Sequence, residues 1–515
     1  MPAASPTHRP LAVELVGIDK RFGAVHANRD INLRVEAGTI HGIVGENGAG
    51  KSTLMSILYG FYQPDAGEIR VGGKPVAILS SDAAIAAGIG MVHQHFMLVE
   101  PFTVLENVIL GVEGGARLAG GVAKARAELK RLEREYALEV DPDALAGDLP
   151  VGLQQRVEIL KALYRGAETL ILDEPTGVLT PPEADHLFRI LRQLKEQGKT
   201  IILITHKLRE IMAATDAVSI MRRGEIVATL RTADTTPDAL AELMVGRRVL
   251  LRVDKQPASP GRPLLQVEGL SLIDEQGAPR LKNVGFEVRA GEIVGIAGVA
   301  GNGQSELLEI IAGIRRATLG TVTIDGEPVS VTGGSDPAEL RRHRLAHVPE
   351  DRHRMGLVTS FEEWENSVLG YHADPKLLAG PFLRIEAIRD DARRKIEQYD
   401  IRPPSCRLKT ANFSGGNQQK IVLAREMERD PAVLLVGQPT RGVDIGAIEF
   451  IHRQLVAMRD VGKAILLVSV ELDEIRALSD RILVMCGGEL TEVRSADADE
   501  GEIGRLMAGL EAKAA

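Results

Sequence analysis

The sequence predicts an α/β protein made of two copies of one domain, each built around a mainly parallel β-sheet. Short β-branched runs alternate with longer helical stretches in both halves, which is the pattern of strand–helix–strand units. A glycine-rich loop beginning at Gly45 separates a buried strand from a helix. Segments of the first half also recur 253 to 264 residues later. Together these observations indicate two α/β domains in tandem.

The elements of the first half can be assigned in order. Thr39–Val44 is predicted to be a strand, and Lys51–Tyr59 a helix that follows the glycine loop. Leu170–Asp173 and Thr200–Thr205 are short apolar runs typical of buried strands. Ala119–Glu139 is charged and periodic, which favours a surface helix of an inserted helical region.

The repeat defines the domain organisation. Gly38–Gly45 corresponds to Gly291–Gly298 at an offset of 253 residues, and Leu172–Thr176 corresponds to Val436–Thr440 at an offset of 264. A period this long indicates duplicated domains and not a solenoid.

We therefore expect domains at residues 11–247 and 264–509, joined by a linker at 248–263. Three prolines and a glycine between Gln256 and Pro263 would interrupt a helix or a central strand there.

Composition excludes several classes of protein. The 515 residues are 44% hydrophobic and 26% charged, which is ordinary for a globular chain and argues against a disordered or fibrous one. The net charge of −9 provides no basic field for nucleic acid. Cys406 and Cys486 alone cannot form a disulfide scaffold or a cysteine zinc site. No apolar run approaches the ~18 residues that span a bilayer, so we expect a cytosolic protein or one attached to a membrane by a partner.

The glycine loop fits the phosphate-binding pattern G-x-x-x-x-G-K-[ST]. Its backbone N–H groups and the helix start would surround phosphates, Lys51 would neutralise the β- and γ-oxygens, and the Ser52 hydroxyl would bind Mg²⁺. The nucleotide-binding residues predicted here are Gly45, Glu46, Asn47, Gly48, Gly50, Lys51, Ser52 and Thr53.

Candidate catalytic groups follow two of the predicted strands. Asp173 and Glu174 end the strand Leu170–Asp173, and we expect Asp173 in the metal shell and Glu174 as the general base. His206 follows Thr200–Thr205, a position that would direct it at the γ-phosphate. A lone histidine is more often structural, and Gln94, between His93 and His95, is a weaker signal still.

With these residues in place, Phe413–Lys420 resembles the signature of ATP-binding cassette (ABC) ATPases. The resemblance extends over nearly all 515 residues. It implies two cassettes that pack head to tail, each with an antiparallel β part and an inserted helical subdomain. ATP would lie between one P-loop and the opposite signature, which contributes Ser414, Gly415, Gly416 and Asn417.

The resemblance also assigns roles to residues that are ambiguous alone. Phe22 matches the aromatic that stacks on adenine, although a core or exposed phenylalanine would fit the sequence equally well. Ser52, Gln94 and Asp173 match the residues that hold Mg²⁺. ATP and Mg²⁺ are therefore the expected cofactors.

The second half departs from the catalytic pattern. Gln304 replaces the P-loop lysine, Gly437 the metal-shell aspartate, Gln438 the general base and Val470 the switch histidine. Glu350 stands where the first half has glutamine. Its glycine loop keeps Gly298, Gly303 and Ser305, so we expect nucleotide contact with little hydrolysis.

The first half's own signature is altered instead, because Pro150 occupies the serine position and lacks both the hydroxyl and the N–H. Head-to-tail pairing would then collect every substitution into one composite site. The other site would join the intact first P-loop, Glu174 and His206 to Ser414. We expect one hydrolytic site and one structural or regulatory site.

The two-cassette arrangement resembles the ATPase subunit of bacterial importers for simple sugars and nucleosides. It implies two membrane permease subunits, an extracytoplasmic solute-binding protein, no nucleic acid, and a position at the cytoplasmic face of the membrane. The segments Met91–Leu98, Val151–Gly166 and Asp173–Pro181 are closer to the nucleoside branch, with a ribose- or galactose-type importer as the alternative.

A rival from another class is a two-cassette ATPase that acts on ribosomes or DNA. Such proteins keep both sites intact and carry a long charged linker, and neither feature is present in this sequence.

Overall fold

A computed structural model of the chain describes residues 10–23, 25–93, 97–112, 118–136, 138–176, 179, 181–247, 255–299, 301–333, 336–493, 500–507 and 509. The chain divides into two compact units, residues 1–249 and 250–515. Each unit has its own sheets and its own hydrophobic cores.

The first unit contains ten strands and eight α-helices among its described residues. The strands are β1 Leu11–Phe22, β2 Val25–Glu36, β3 Ile40–Gly45, β4 Ala66–Val71, β5 Lys74–Pro75, β6 Ile89–Val92, β7 Thr169–Asp173, β8 Thr200–Thr205, β9 Ala217–Arg222 and β10 Glu225–Arg231. The helices are α1 Lys51–Leu58, α2 Ser81–Ala86, α3 Val104–Ile109, α4 Leu118–Tyr136, α5 Val151–Tyr164, α6 Pro181–Glu196, α7 Leu208–Ala214 and α8 Pro237–Val245.

Two sheets organise this unit. The six-stranded sheet runs β10-β9-β3-β8-β7-β6, with five parallel strands and β10 antiparallel at one edge. The four-stranded sheet β2-β1-β4-β5 is antiparallel. Helices α3, α4 and α5 are inserted between β6 and β7.

The parallel sheet is buried on both faces, which explains the continuous apolar strands. In β8, Ile201 and Leu203 join the core beneath the inserted helices, whereas Ile202 and Ile204 join the core that contains α1. Successive side chains of a strand point to opposite faces, so covering both faces requires apolar residues at every position.

The second unit repeats this plan. Its strands are β11 Pro263–Ile273, β12 Pro279–Arg289, β13 Glu292–Ala297, β14 Leu319–Ile324, β15 Glu327–Val329, β16 Leu345–Val348, β17 Leu378–Ala379, β18 Phe382–Leu383, β19 Val433–Gly437, β20 Ala464–Ser469, β21 Arg481–Cys486 and β22 Glu489–Val493. Its helices are α9 Gln304–Ile311, α10 Pro337–Arg342, α11 Glu363–Asn366, α12 Ile385–Gln398, α13 Gly415–Met427, α14 Ile445–Asp460, α15 Leu472–Leu478 and α16 Glu500–Met507.

The sheets of the second unit correspond to those of the first. The larger sheet runs β16-β19-β20-β13-β21-β22 and the antiparallel one β12-β11-β14-β15. Helices α11, α12 and α13 are inserted between β16 and β19, together with the small hairpin β17–β18.

The predicted fold class is confirmed in each unit, because a mainly parallel sheet stands beside an antiparallel one and carries an inserted helical region. The predicted strand Thr200–Thr205 has the bounds of β8, and the predicted helix Ala119–Glu139 corresponds to α4. Among the helices that the structure describes, none is long and apolar enough to cross a bilayer.

Candidate active site

The P-loop of the first unit connects β3 to α1 and is held by its surroundings. Gly50 has φ +100°, and a Cβ atom there would lie 2.3 Å from the Ala27 carbonyl oxygen. Only glycine satisfies both constraints. The buried Asn28 side chain donates to the Gly50 carbonyl at 3.1 Å. The loop therefore presents its backbone in one defined shape.

Lys51 is the cation at the centre of this loop. Its side chain is buried, and Nζ donates to the carbonyl oxygens of Gly45 at 2.7 Å and Glu46 at 3.1 Å. Burial lowers the Lys51 pKa, while the nearby carboxylates of Glu174 and Asp173 act to raise it. A cation enclosed by a glycine cradle at a helix start fits the polyphosphate of a nucleotide.

The other residues predicted to bind the nucleotide lie between β3 and the first turn of α1. Glu46, Asn47 and Gly48 form the turn, with Asn47 and Gly48 exposed, and Thr53 is half-buried in the first turn of α1. Gln94, predicted as both a nucleotide and a metal ligand, lies outside the described residues.

The oxygen ligands proposed for Mg²⁺ meet at the end of β7. The Ser52 hydroxyl at the start of α1 lies beside the Asp173 carboxylate and acts to lower its pKa. Burial raises the Asp173 pKa, and the neighbouring negative charge of Glu174 adds to the effect, while Lys51 opposes it. A hydroxyl and a carboxylate side by side are the hard oxygen donors that Mg²⁺ prefers.

Glu174 and His206 form a pair beside these groups. Glu174 has a left-handed backbone, with φ 45°, and its N–H donates to the Ile204 carbonyl at 2.9 Å. His206 Nδ1 lies 2.8 Å from Glu174 Oε1. This hydrogen bond lowers the pKa of Glu174, and the charges of His206 and Lys51 act in the same direction against the effect of burial. Glu174 is therefore a carboxylate at neutral pH, the form that a general base needs.

Phe22 lies at the exposed end of β1 and has an aromatic neighbour. Its side chain is 42% exposed, so it is not a core residue. The Tyr62 ring meets it edge to face at a centroid distance of 5.2 Å. Tyr62 was not singled out in the sequence, because a lone aromatic 40 residues from Phe22 fits no motif.

The two signature segments differ in how their helices begin. Ser414 caps α13, and its hydroxyl accepts a 2.8 Å hydrogen bond from the Asn417 side chain and a longer one from the Asn417 backbone. Gly415 and Gly416 form the first turn of that helix. Pro150 is the corresponding residue before α5 and provides no side-chain cap. The helix after Pro150 therefore begins without the side-chain cap that Ser414 gives to α13.

The second P-loop keeps the backbone while its side chains change. Gly303 has φ +111°, much like Gly50, and Gln304 is buried in the lysine position with Nε2 donating to the Val299 carbonyl at 3.2 Å. A Cβ atom on Gly298 would lie 2.8 Å from the backbone carbonyl oxygen of Met485, which favours glycine there.

The Glu174–His206 pair is also replaced in the second unit, on a backbone of the same conformation. Gln438 has φ 46°, and its N–H donates to the Val468 carbonyl at 2.8 Å, the same contact that Glu174 makes in the first unit. The Val470 N–H donates to Gln438 Oε1 at 3.2 Å in place of a histidine ring. A neutral amide cannot accept a proton as a base does, so this unit lacks the base.

The first unit combines a P-loop, an inserted helical region and two acids, Asp173 and Glu174, at the end of β7. This combination defines a class of nucleotide-hydrolysing proteins. The ABC transporter family matches residues 28–177 and 281–441 of the chain. The chain belongs to this family, and it is an ATP-binding ATPase.

Individual relatives match over almost the whole length. The chain is 47% identical to the guanosine import ATP-binding protein of Bacillus subtilis, over 96% of this chain and 97% of that protein. It is 45% identical to the nucleoside import ATP-binding protein of Lactococcus lactis, over 96% and 98%. A glucose import ATP-binding protein of Haloferax volcanii is 44% identical, over 96% of each chain.

Proposed function

We propose that the chain is the ATP-hydrolysing subunit of a bacterial importer for nucleosides. The observation that carries this proposal is the near full-length similarity to two nucleoside import ATP-binding proteins, at 47% and 45% identity. ATP binding would draw the cassettes together, and hydrolysis with product release would separate them.

Hydrolysis is assigned to the first P-loop. Lys51 and the loop N–H groups would hold the phosphates, and Ser52, Gln94 and Asp173 would hold Mg²⁺, which neutralises charge on the transferring phosphoryl group. Glu174 would accept the proton of the attacking water. The lowered pKa of Glu174 and its 2.8 Å hydrogen bond with His206 support this assignment.

The nucleotide site is proposed to be composite. In the head-to-tail arrangement of the family, the first P-loop would face Ser414, Gly415, Gly416 and Asn417, and Pro150 would face the altered second P-loop. The distribution of substitutions supports this pairing, since Gln304, Gln438, Val470 and Pro150 would all fall in one site.

The proposed domains are residues 11–247 and 264–509, with 248–263 as the linker. We propose two membrane permease subunits as direct partners and an extracytoplasmic solute-binding protein as an indirect one. The cassettes would then lie at the cytoplasmic face of the membrane, without contact to nucleic acid. The acidic net charge of −9 is consistent with the last point.

A simple-sugar importer is the second candidate, because a glucose import relative is 44% identical over nearly its full length.

Solute binding by the protein encoded beside this gene tests the substrate class. We expect tight binding of purine nucleosides and weak binding of ribose and galactose. Uptake of labelled guanosine by cells carrying the complete system should depend on the intact chain and be lost in Glu174→Gln. Tight sugar binding without nucleoside affinity would replace the nucleoside assignment and leave the ATPase assignment intact.

A further inference from the structure

A cavity of about 190 Å³ lies in the first unit, between helix α5 of the inserted region and helix α6. Much of its wall is apolar, and three of the side chains that line it, Ile159, Leu187 and Ile190, are buried core residues. An apolar cavity of about 150 Å³ is large enough to bind benzene. The cavity between α5 and α6 therefore has room for a planar ring system somewhat larger than benzene.

His186 brings a hydrogen-bond donor to the wall of this cavity. Its Nδ1 atom lies 3.1 Å from a guanidinium nitrogen of Arg189. Because a guanidinium can only donate, Nδ1 accepts and the ring proton lies on Nε2. Nε2 is buried, and none of the described residues is hydrogen-bonded to it. A buried N–H without a partner costs free energy, which a ligand that supplies an acceptor would recover.

The electrostatic surroundings keep the His186 ring neutral. Burial lowers the His186 pKa, and the positive charges of Arg156 and Arg189 act in the same direction. The ring therefore carries a single proton at neutral pH, and the donor on Nε2 and the acceptor on Nδ1 stay distinct.

Arg156 and Glu183 add a cation and a carboxylate to the same wall. Arg156 donates to the Glu139 carbonyl at 3.3 Å, and its guanidinium carries five N–H donors in all. A Cβ atom on Gly152 of α5 would lie 3.1 Å from Glu183 Oε1, so this carboxylate reaches from α6 to α5. The cavity thus combines donors from Arg156 and His186 with an acceptor from Glu183, between apolar side chains.

The second unit has a ring of its own at the equivalent place. Phe450 stands where the first unit has His186, at the 264-residue offset of the repeat, and it packs against the core of the second unit. The Lys420 ammonium, in the position of Arg156, lies 4.7 Å from the centre of the Phe450 ring. The imidazole and the guanidinium are therefore features of the first unit that the shared fold does not require.

The donors and the acceptor of the cavity select a class of ligand. A 6-oxopurine presents two adjacent acceptors, O6 and N7, which are the atoms that an arginine recognises on guanine. The ring N1–H beside O6 is a donor that a carboxylate can accept. Adenine has an amino donor at position 6 and would leave a protein donor unpaired. A simple aromatic anion would be repelled by the negative charge of Glu183.

We propose that the cavity between α5 and α6 binds the ring of a 6-oxopurine, with Arg156 and His186 donating to its O6 and N7 atoms and Glu183 accepting from its N1–H. The apolar side chains of the wall then cover the faces of the ring. This site goes beyond the proposed function, which concerns ATP hydrolysis and solute import, and it does not depend on that function.

Equilibrium dialysis of the full chain against labelled hypoxanthine measures binding directly. A saturating non-hydrolysable ATP analogue keeps the purine away from the first P-loop. We expect one hypoxanthine per chain, and binding of adenine and benzoate that is weaker by at least about tenfold, the cost of a mismatched hydrogen-bonding edge. Inosine distinguishes the two sources of the ring: comparable binding of inosine shows that the site accepts a nucleoside, and its exclusion shows that the site takes the free base. Either result supports the proposal.

Two variants remove the donors separately. His186→Phe introduces the residue of the second unit and removes the Nε2 donor, and Arg156→Met removes the guanidinium while keeping a long apolar side chain. Each should weaken hypoxanthine binding by at least about tenfold, the loss expected for a hydrogen bond to a charged group. The matched control Arg192→Ala removes an exposed arginine elsewhere on α6 and should keep the affinity.

Circular dichroism identifies the variants that fold. The proposal would be overturned if the unaltered chain bound no hypoxanthine, or if adenine bound as tightly as hypoxanthine. Unchanged hypoxanthine affinity in a folded His186→Phe or Arg156→Met chain would overturn it as well.

Discussion

At the scale of single residues, equivalent positions of the two units have the same backbone conformation but chemically different side chains. Glu174 and Gln438 have φ values of 45° and 46°, and each N–H is bound to the neighbouring strand. Such left-handed conformations are uncommon outside glycine and are held in place by the surrounding structure. The fold therefore holds the side chains of Glu174 and Gln438 at equivalent places in the two units. Only the atoms at the end of the side chain decide whether a base is available.

Replacing Glu174 with glutamine should abolish most ATP turnover. The amide keeps the size of the side chain but cannot take the proton of water, so kcat should fall by about 10²- to 10⁴-fold. ATP should still bind, because Lys51 and the loop are unchanged. Steady-state turnover and nucleotide binding measure the two effects separately. Gln438→Ala is the matched control and should change turnover little, whereas equal losses from both substitutions would contradict a single hydrolytic site.

At the scale of elements, the parallel sheet carries a titratable group in its interior. His41 lies in β3 and is buried, with Nε2 2.9 Å from the hydroxyl of Ser219 in β9. Burial lowers its pKa from 6.5 to about 4. The folded state therefore binds fewer protons at this residue than the unfolded state between these pH values. The free energy of unfolding is therefore highest above pH 6.5, where His41 is neutral in both states. It decreases as the pH falls towards 4, because the unfolded state takes up the proton first.

Acid should accordingly destabilise the first unit before its carboxylates protonate. The pKa difference of His41 corresponds to ~3 kcal/mol of unfolding free energy lost on going from pH 7 to pH 4. His41→Asn carries no titrating ring, so its urea midpoint should change less over this range. Urea unfolding at several pH values measures the difference. The control His372→Asn, at an exposed position, should keep the pH dependence of the parent chain.

At the scale of the whole chain, the substitutions follow a pattern that neither unit explains alone. The first unit keeps Lys51, Glu174 and His206 but begins its signature helix with Pro150. The second unit keeps the Ser414 cap but has Gln304 and Gln438. Independent mutation of two domains would not be expected to leave the P-loop side chains intact in one unit and the signature intact in the other. The composite site proposed above would account for the division.

If the nucleotide site is composite as proposed, Ser414→Arg in the full chain should abolish hydrolysis, because the added bulk would block the proposed contact between this signature and the ATP held by Lys51. Pro150→Ser restores a hydroxyl in the other signature and should have little effect, since the site it serves lacks the base. ATP turnover of both variants provides the measurement.

Separately produced fragments 1–249 and 250–515, each a compact unit, extend the test. The first fragment should hydrolyse ATP fast only when the second is added, and not when the second carries Ser414→Arg. Full activity of the first fragment alone would refute the shared site.

The sequence by itself determined the duplicated α/β plan, the first P-loop with its strand-end acids, and the unequal distribution of substitutions. These features are encoded locally, because glycine spacing, apolar strands and helix starts are set by residues close together in the chain. The resemblance to ABC ATPases rested on the same local motifs.

Only the tertiary structure decided which distant side chains meet. Glu350 lies 45 residues from Ser305, and Tyr62 lies 40 residues from Phe22, so no periodicity links either pair. Their contacts depend on strand order and on the packing of loops at the carboxyl ends of the strands. A Cβ atom on Gly437 would lie 2.5 Å from Glu350 Cγ, a proximity that only the packing of these two segments reveals.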